Sequence, residues 1–147
     1  MICTFFGHRN APEEIMISLE TLLRNLIENE DVDTFYVGNH GSFDSMVRKT
    51  LKNLKIEYPK IKYKVFLSYL PVKKREFEYE DYSDTVFPEI LANTPPKYAI
   101  AKLNRWMIRQ SDIVITYVTS SFGGAAQFKE LAEKQGKKVI NIELNKN

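Results

Sequence analysis

With 147 residues, 44% of them apolar and 27% charged, the chain has the composition of one folded domain able to bury a core without cross-links. A formal charge of +2, with basic residues scattered apart from the run Lys73-Lys74-Arg75, argues against a nucleic-acid or membrane surface. The lone Cys3 can form no internal disulfide, no apolar run reaches the length of a membrane span, and no export signal is evident, so a cytoplasmic protein is expected.

Residues 2–6 are a short apolar run ending at Gly7, which predicts a buried strand. Pro12-Glu13-Glu14 reads as the first turn of a helix, with Pro near its start and acids at the positive end of the dipole. Ile15, Leu19, Leu22, Leu23, Leu26 and Ile27 continue it with helical spacing. Residues 34–37 form a second strand closed by Gly38. From Ser42 to about Lys55 a second helix turns Met46, Val47, Leu51 and Leu54 inward, and residues 63–69 form a third strand. Residues 70–96, rich in acids, aromatics and proline, are long for a connection and read as an insert. A third helix spans 97–110, a fourth strand 112–118, and the last helix ends near Gly136, a C′ glycine. Residues 138–143 are the final strand.

This alternation predicts an α/β fold: a single Rossmann-like three-layer domain over residues 1–147. Its sheet is expected to be parallel and five-stranded, in the order 3-2-1-4-5, with helices on both faces. Ligands bind such sheets where the strand order reverses, beyond the carboxyl ends of the strands. Three loops converge there: Gly7-His8-Arg9-Asn10, residues 38–44 and residues 120–127.

Each loop has residues suited to an anionic ligand. Gly123 and Gly124 let a ligand approach the backbone, and the amides of Ala125, Ala126 and Gln127 would point at it. Ser120 or Ser121 would cap that helix or bind the ligand. Gly38 and Gly41 frame a second turn of this type, with Ser42 as its N-cap. Arg9 suits a phosphate or carboxylate. His8 reads equally as a ligand contact or as a loop-fixing residue, and His40 more weakly as a contact. Asp44 suits a ribose hydroxyl or, no less well, the first turn of a helix. Two histidines and a buried cysteine give no metal spacing, and neither a GxSxG elbow nor a P-loop is present. No metal and no cofactor are expected.

Gly7-His8-Arg9, Gly38-x-x-Gly41-x-x-Asp44, Asn104-Arg105-Trp106-Met107-Ile108 with Ser111-Asp112-Ile113-Val114-Ile115, Gly123-Gly124, and the ending 136–142 together resemble the SLOG superfamily, its YpsA-like branch most. The resemblance covers nearly all of the chain outside 70–96, where the family is variable. It implies a Rossmann-like fold that binds nucleotides or nucleotide-derived ligands, as in sensor domains of bacterial and phage conflict systems. It also implies a homo-oligomer. Distant relatives include the LOG enzymes, which cleave the base from a nucleoside monophosphate and carry the signature GGxGTxxE. Residues 123–130 align with it and supply its closing glutamate as Glu130, but Ala126 and Gln127 replace the third Gly and the Thr. Leu103 stands where the LOG arginine is expected.

The resemblance and the residues together predict a protein that senses or sequesters a nucleotide-derived small molecule. The expected site comprises Gly7, His8, Arg9, Gly38, Gly41, Asp44, Arg105, Ser120, Ser121, Gly123, Gly124 and Gln127. A second reading is an N-glycosidase with Glu130 as its catalytic carboxylate; the competing role for Glu130 is an exposed pair with Lys134. A third is a homo-oligomeric interaction module whose crevice is vestigial. Trp106 reads as packing before anything else. Within the insert, Tyr79, Tyr82 and Phe87, with Glu78, Glu80, Asp81 or Asp84, form either a lid over a base, or a wall donated to a partner subunit, or a solvated loop anchored by its aromatics. Neither a membrane nor a nucleic-acid partner is expected.

Overall fold

The computed structural model describes residues 1–68 and 85–144. Its elements are β1 (Ile2–Gly7), α1 (Ile15–Asn29), β2 (Thr34–Val37), α2 (Gly41–Glu57), β3 (Lys62–Phe66), β4 (Thr85–Val86), a 3-10 turn (Glu89–Leu91), α3 (Pro96–Gln110), β5 (Ile113–Tyr117), α4 (Gly124–Lys134) and β6 (Lys138–Asn141). All strand pairs are parallel.

The strands alternate their side chains between two cores. Cys3, Phe5, Val65, Ile113 and Ile115 join α1 and α2 on one face. Phe6, Phe66 and Val114 join α3, α4 and the 3-10 turn on the other. On α1 the buried Ile15, Leu19, Leu23 and Leu26 follow helical spacing, and burying each such side chain is worth about 1.5–3 kcal/mol. α4 closes with the amides of Gly136 and Lys137 bonded back to the carbonyls of Glu133 and Ala132, a Schellman cap. Gly136 supplies the positive φ of 75° that this cap requires.

The sheet differs from the expected five strands. The sheet has six strands in the order β4-β3-β2-β1-β5-β6. The additional strand, β4, lies at the edge beside β3 and pairs Thr85 with Val65 and Val86 with Phe66. Two residues are too short to leave a periodic signature, which is why residues 85–91 read as part of an insert. Phe87 packs against the α3–α4 core. Glu78, Tyr79, Glu80, Asp81, Tyr82 and Asp84 lie outside the described residues. Trp106 stacks on Tyr36 at 5.9 Å and meets Phe66 edge-on at 5.2 Å, so it serves as packing for the α3 side of the sheet.

β1 lies between β2 and β5, so the chain departs from it in both directions. The loops after β1, β2 and β5 therefore meet at one end of the sheet, and α4 begins there.

Candidate functional site

A cleft of about 340 Å³ opens at this switch point. Its polar lining comprises Gly7, His8, Arg9, Gly38, His40, Asp44, Asn104 and Gly124; Phe5, Phe6, Ile100, Met107, Ala125 and Phe128 form apolar walls.

The β1 loop is held from both sides. His8 donates its backbone N–H to the Tyr117 carbonyl at 3.1 Å, and its Nε2 accepts the Thr119 N–H at 2.8 Å. The ring is thereby fixed as the Nδ1–H tautomer and ties the β1 loop to the β5 loop. On the other side Ser42 takes hold of residues 9–11. Its N–H and Oγ both donate to the Arg9 carbonyl, at 2.8 and 2.7 Å, and Oγ accepts the Ala11 N–H at 2.7 Å. Ser42 was expected to cap α2; it fastens the neighbouring loop instead, and α2 has no side-chain cap of its own.

Two glycines make this closeness possible. A Cβ on Gly7 would stand 2.4 Å from the Phe43 ring, which is wholly buried at the start of α2. Gly41 has φ +82°, and a Cβ there would stand 2.7 Å from Arg9 Cα. Gly41 therefore supports the site from behind without lining it.

Arg9 is exposed and lines the cleft, and among the described residues it forms no ion pair. Asp44 lies deeper. Its Oδ2 accepts the His40 backbone N–H at 2.9 Å, and a Cβ on Gly38 would stand 2.9 Å from that oxygen. Burial pushes the Asp44 carboxyl up to about 7, against the opposing pull of the His40 N–H and of Arg48. Arg48 attracts it without bonding to it, and Arg48 Nε is buried without a hydrogen-bond partner among the described residues. His40 Nε2 and Ser68 Oγ share a hydrogen bond of 2.8 Å. Burial, and then the charge of Arg9, holds the His40 imidazole below its ordinary pKa.

The third side is the start of α4. Gln127 donates its amide to the Gly123 carbonyl at 3.1 Å, closing the first turn. The free amides are thus those of Gly124, Ala125 and Ala126, one residue earlier than the sequence suggests. A Cβ on Gly124 would meet nothing within 4 Å, so the space before the helix end is open. Gly123, with φ +98°, shapes the entry to the helix. Ser120 forms a local turn, its Oγ accepting the Phe122 N–H at 3.1 Å.

Of the expected site residues, Gly7, His8, Arg9, Gly38, Asp44 and Gly124 come together in the lining. Gly41, Arg105, Ser120, Ser121, Gly123 and Gln127 do not line it. Glu130 lies about 160° around α4 from the buried Ala132 and pairs with Lys134 at 3.1 Å. On α3 the cleft is met by Ile100, Asn104 and Met107 rather than by Arg105. Their i, i+4, i+7 spacing marks one helical face and was the available signal. Phe128 stacks on Phe6 at 5.5 Å and forms the apolar wall beside the α4 amides. Among the described residues no group of three His, Cys, Asp or Glu side chains is placed to hold a metal, and no helix is long and apolar enough to cross a membrane.

No protein-family model matches the chain, and no curated protein matches it either. A solved structure is similar: DNA processing protein A (DprA) from Streptococcus pneumoniae, with a TM-score of 0.69 and 17% identity. The likeness covers 95% of this chain and 49% of that one, so the chain spans about half the length of its structural neighbour. At this identity the likeness shows a shared Rossmann-like α/β fold.

Proposed function

We propose that the chain binds a nucleotide or nucleotide-derived small molecule in the switch-point cleft, as a SLOG-type sensor or sequestering protein of the YpsA-like branch. The observation that carries this reading is that Arg9, which forms no ion pair among the described residues, and the first-turn amides of α4 border one cleft. Backbone donors at a helix N-terminus and a guanidinium are complementary to phosphate. The apolar walls from Phe128, Ile100 and Met107 suit a base or sugar face. A volume of about 340 Å³ matches a small molecule. The shared fold with DprA supports the SLOG resemblance. That neighbour's name refers to DNA, whereas a net charge of +2 and a cleft of this size favour a single nucleotide unit here. N-glycosidic cleavage by Glu130 draws no support from its position, because the carboxylate lies outside the lining and pairs with Lys134.

The test is mass spectrometry of small molecules released by heat, followed by thermal-shift titration with the recovered compound and a panel of nucleotides. Ligand at one hundred times Kd stabilises the native state by about 2.7 kcal/mol, which raises Tm by about 5–10 °C in a domain of this size. No released ligand together with no shift from any nucleotide would refute the reading.

A further inference from the structure

Asp44 is out of keeping with the rest of the cleft. Arg9 and the α4 amides attract anions, yet a carboxylate shares their lining. Its two oxygens are treated differently. Oδ2 accepts the His40 N–H at 2.9 Å, in space left by Gly38. Oδ1 has no hydrogen-bond partner among the described residues, and no ion pair among them includes Asp44. An ionised Asp44 would repel the anion that its surroundings invite. A neutral one would offer that anion an O–H.

Among the described residues of the cleft, Asp44 is the group placed to accept the proton. The β1 loop contributes His8, whose Nε2 is occupied by the Thr119 N–H, and Arg9, which stays charged. The β2–α2 loop contributes His40, whose imidazole is held below its ordinary pKa by burial and then by the charge of Arg9, and which is bonded to Ser68. α2 itself adds Arg48, whose charge opposes the upward shift of Asp44 and which forms no ion pair among the described residues. The lining residues of α3 and α4 carry no ionisable group. Burial raises the Asp44 carboxyl to about 7, so both of its forms are populated near neutrality.

We propose that the cleft binds its anionic ligand together with one proton, held on Asp44 and donated from Oδ1 to an acceptor oxygen of the ligand. This rests on the nucleotide reading above and deepens it. The ligand atom facing Asp44 is a phosphoryl or carbonyl oxygen rather than an amino or hydroxyl group, which would select the ionised carboxylate and reverse the pH dependence.

Sulfate serves as the probe because it remains a dianion throughout the range used. Its affinity for the isotopically labelled full chain is measured at pH 6 and pH 8 from amide chemical shifts, and the side-chain carboxyl shifts are titrated alongside. The expected result is binding weaker by about tenfold at pH 8, with one aspartate titrating near 7. Asp44→Asn should lose that titration and bind equally at both pH values. Equal affinity of the wild type at both pH values overturns the proposal, as does an Asp44→Asn variant that keeps the wild-type pH dependence. Nucleotides that still raise Tm would then leave the binding reading standing. Absence of binding by sulfate and by every nucleotide at pH 6 would overturn both.

Discussion

Replacing Asp44 by Asn should stabilise the protein by an amount that grows as pH rises from about 4 to about 7 and is constant above. In the unfolded chain this carboxyl ionises near its ordinary value of 3.8; in the fold, burial raises it to about 7. Between those values the folded state holds a proton that the unfolded state has lost, so stability falls as pH rises through the window and levels off above it. The full interval corresponds to about 4 kcal/mol, and screening by solvent on the cleft side reduces this to about 2–4 kcal/mol. Asn keeps an oxygen for the His40 N–H and carries no charge, so it avoids the penalty. The two proteins should match within about 1 kcal/mol at pH 4.5. At pH 8 the variant should unfold at a urea concentration higher by about 1–2 M. The lone tryptophan, Trp106, stacks on Tyr36 inside the fold and provides a fluorescence signal for unfolding. His40 also titrates, but it is common to both proteins and cancels in the difference. A wild-type-to-variant difference that is constant from pH 4.5 to pH 8 would refute the reasoning.

Arg9→Ala should abolish measurable nucleotide binding in the thermal-shift assay while leaving the ligand-free Tm within about 2 °C, since Arg9 forms no ion pair among the described residues. Gly124→Val should do the same for a different reason, filling the open space before the α4 amides that no protein atom occupies. Gly7→Ala should cost about 1–3 kcal/mol by forcing a methyl against the buried Phe43 ring, measured by urea unfolding. Cys3, fully buried and with its thiol held well above the ordinary range by that burial, should resist a thiol reagent in the native protein and react at once in urea.

Much of the architecture was legible in the chain because long periodic elements state their own faces. The α1 stripe from Ile15 to Leu26 and the buried run in β1 were both readable, and the parallel order followed from their alternation. The two-residue β4 was not, because a strand that short has no period to detect. The switch-point rule located the loops but not the direction of each side chain. Ser42 carries the residue type of a cap, yet its hydroxyl has nearer partners in residues 9–11, which adjoin it only in the folded chain. Arg105 carries a charge suited to an anion, whereas Asn104, one residue earlier, has the helical phase that reaches the cleft. The α4 amides shifted by one residue because the Gln127 N–H closes the first turn on Gly123.

The clasp that Ser42 places on residues 9–11 bears on the thermodynamics and kinetics of recognition. Ordering a free loop around a ligand costs conformational entropy and slows association. Here the Arg9 backbone is bonded to α2, and His8 to the β5 loop, by contacts within the protein itself. Little of the binding free energy is then consumed in arranging the receptor. Ligands of the same charge should associate at similar rates, and the lifetime of each complex should decide which one the protein retains.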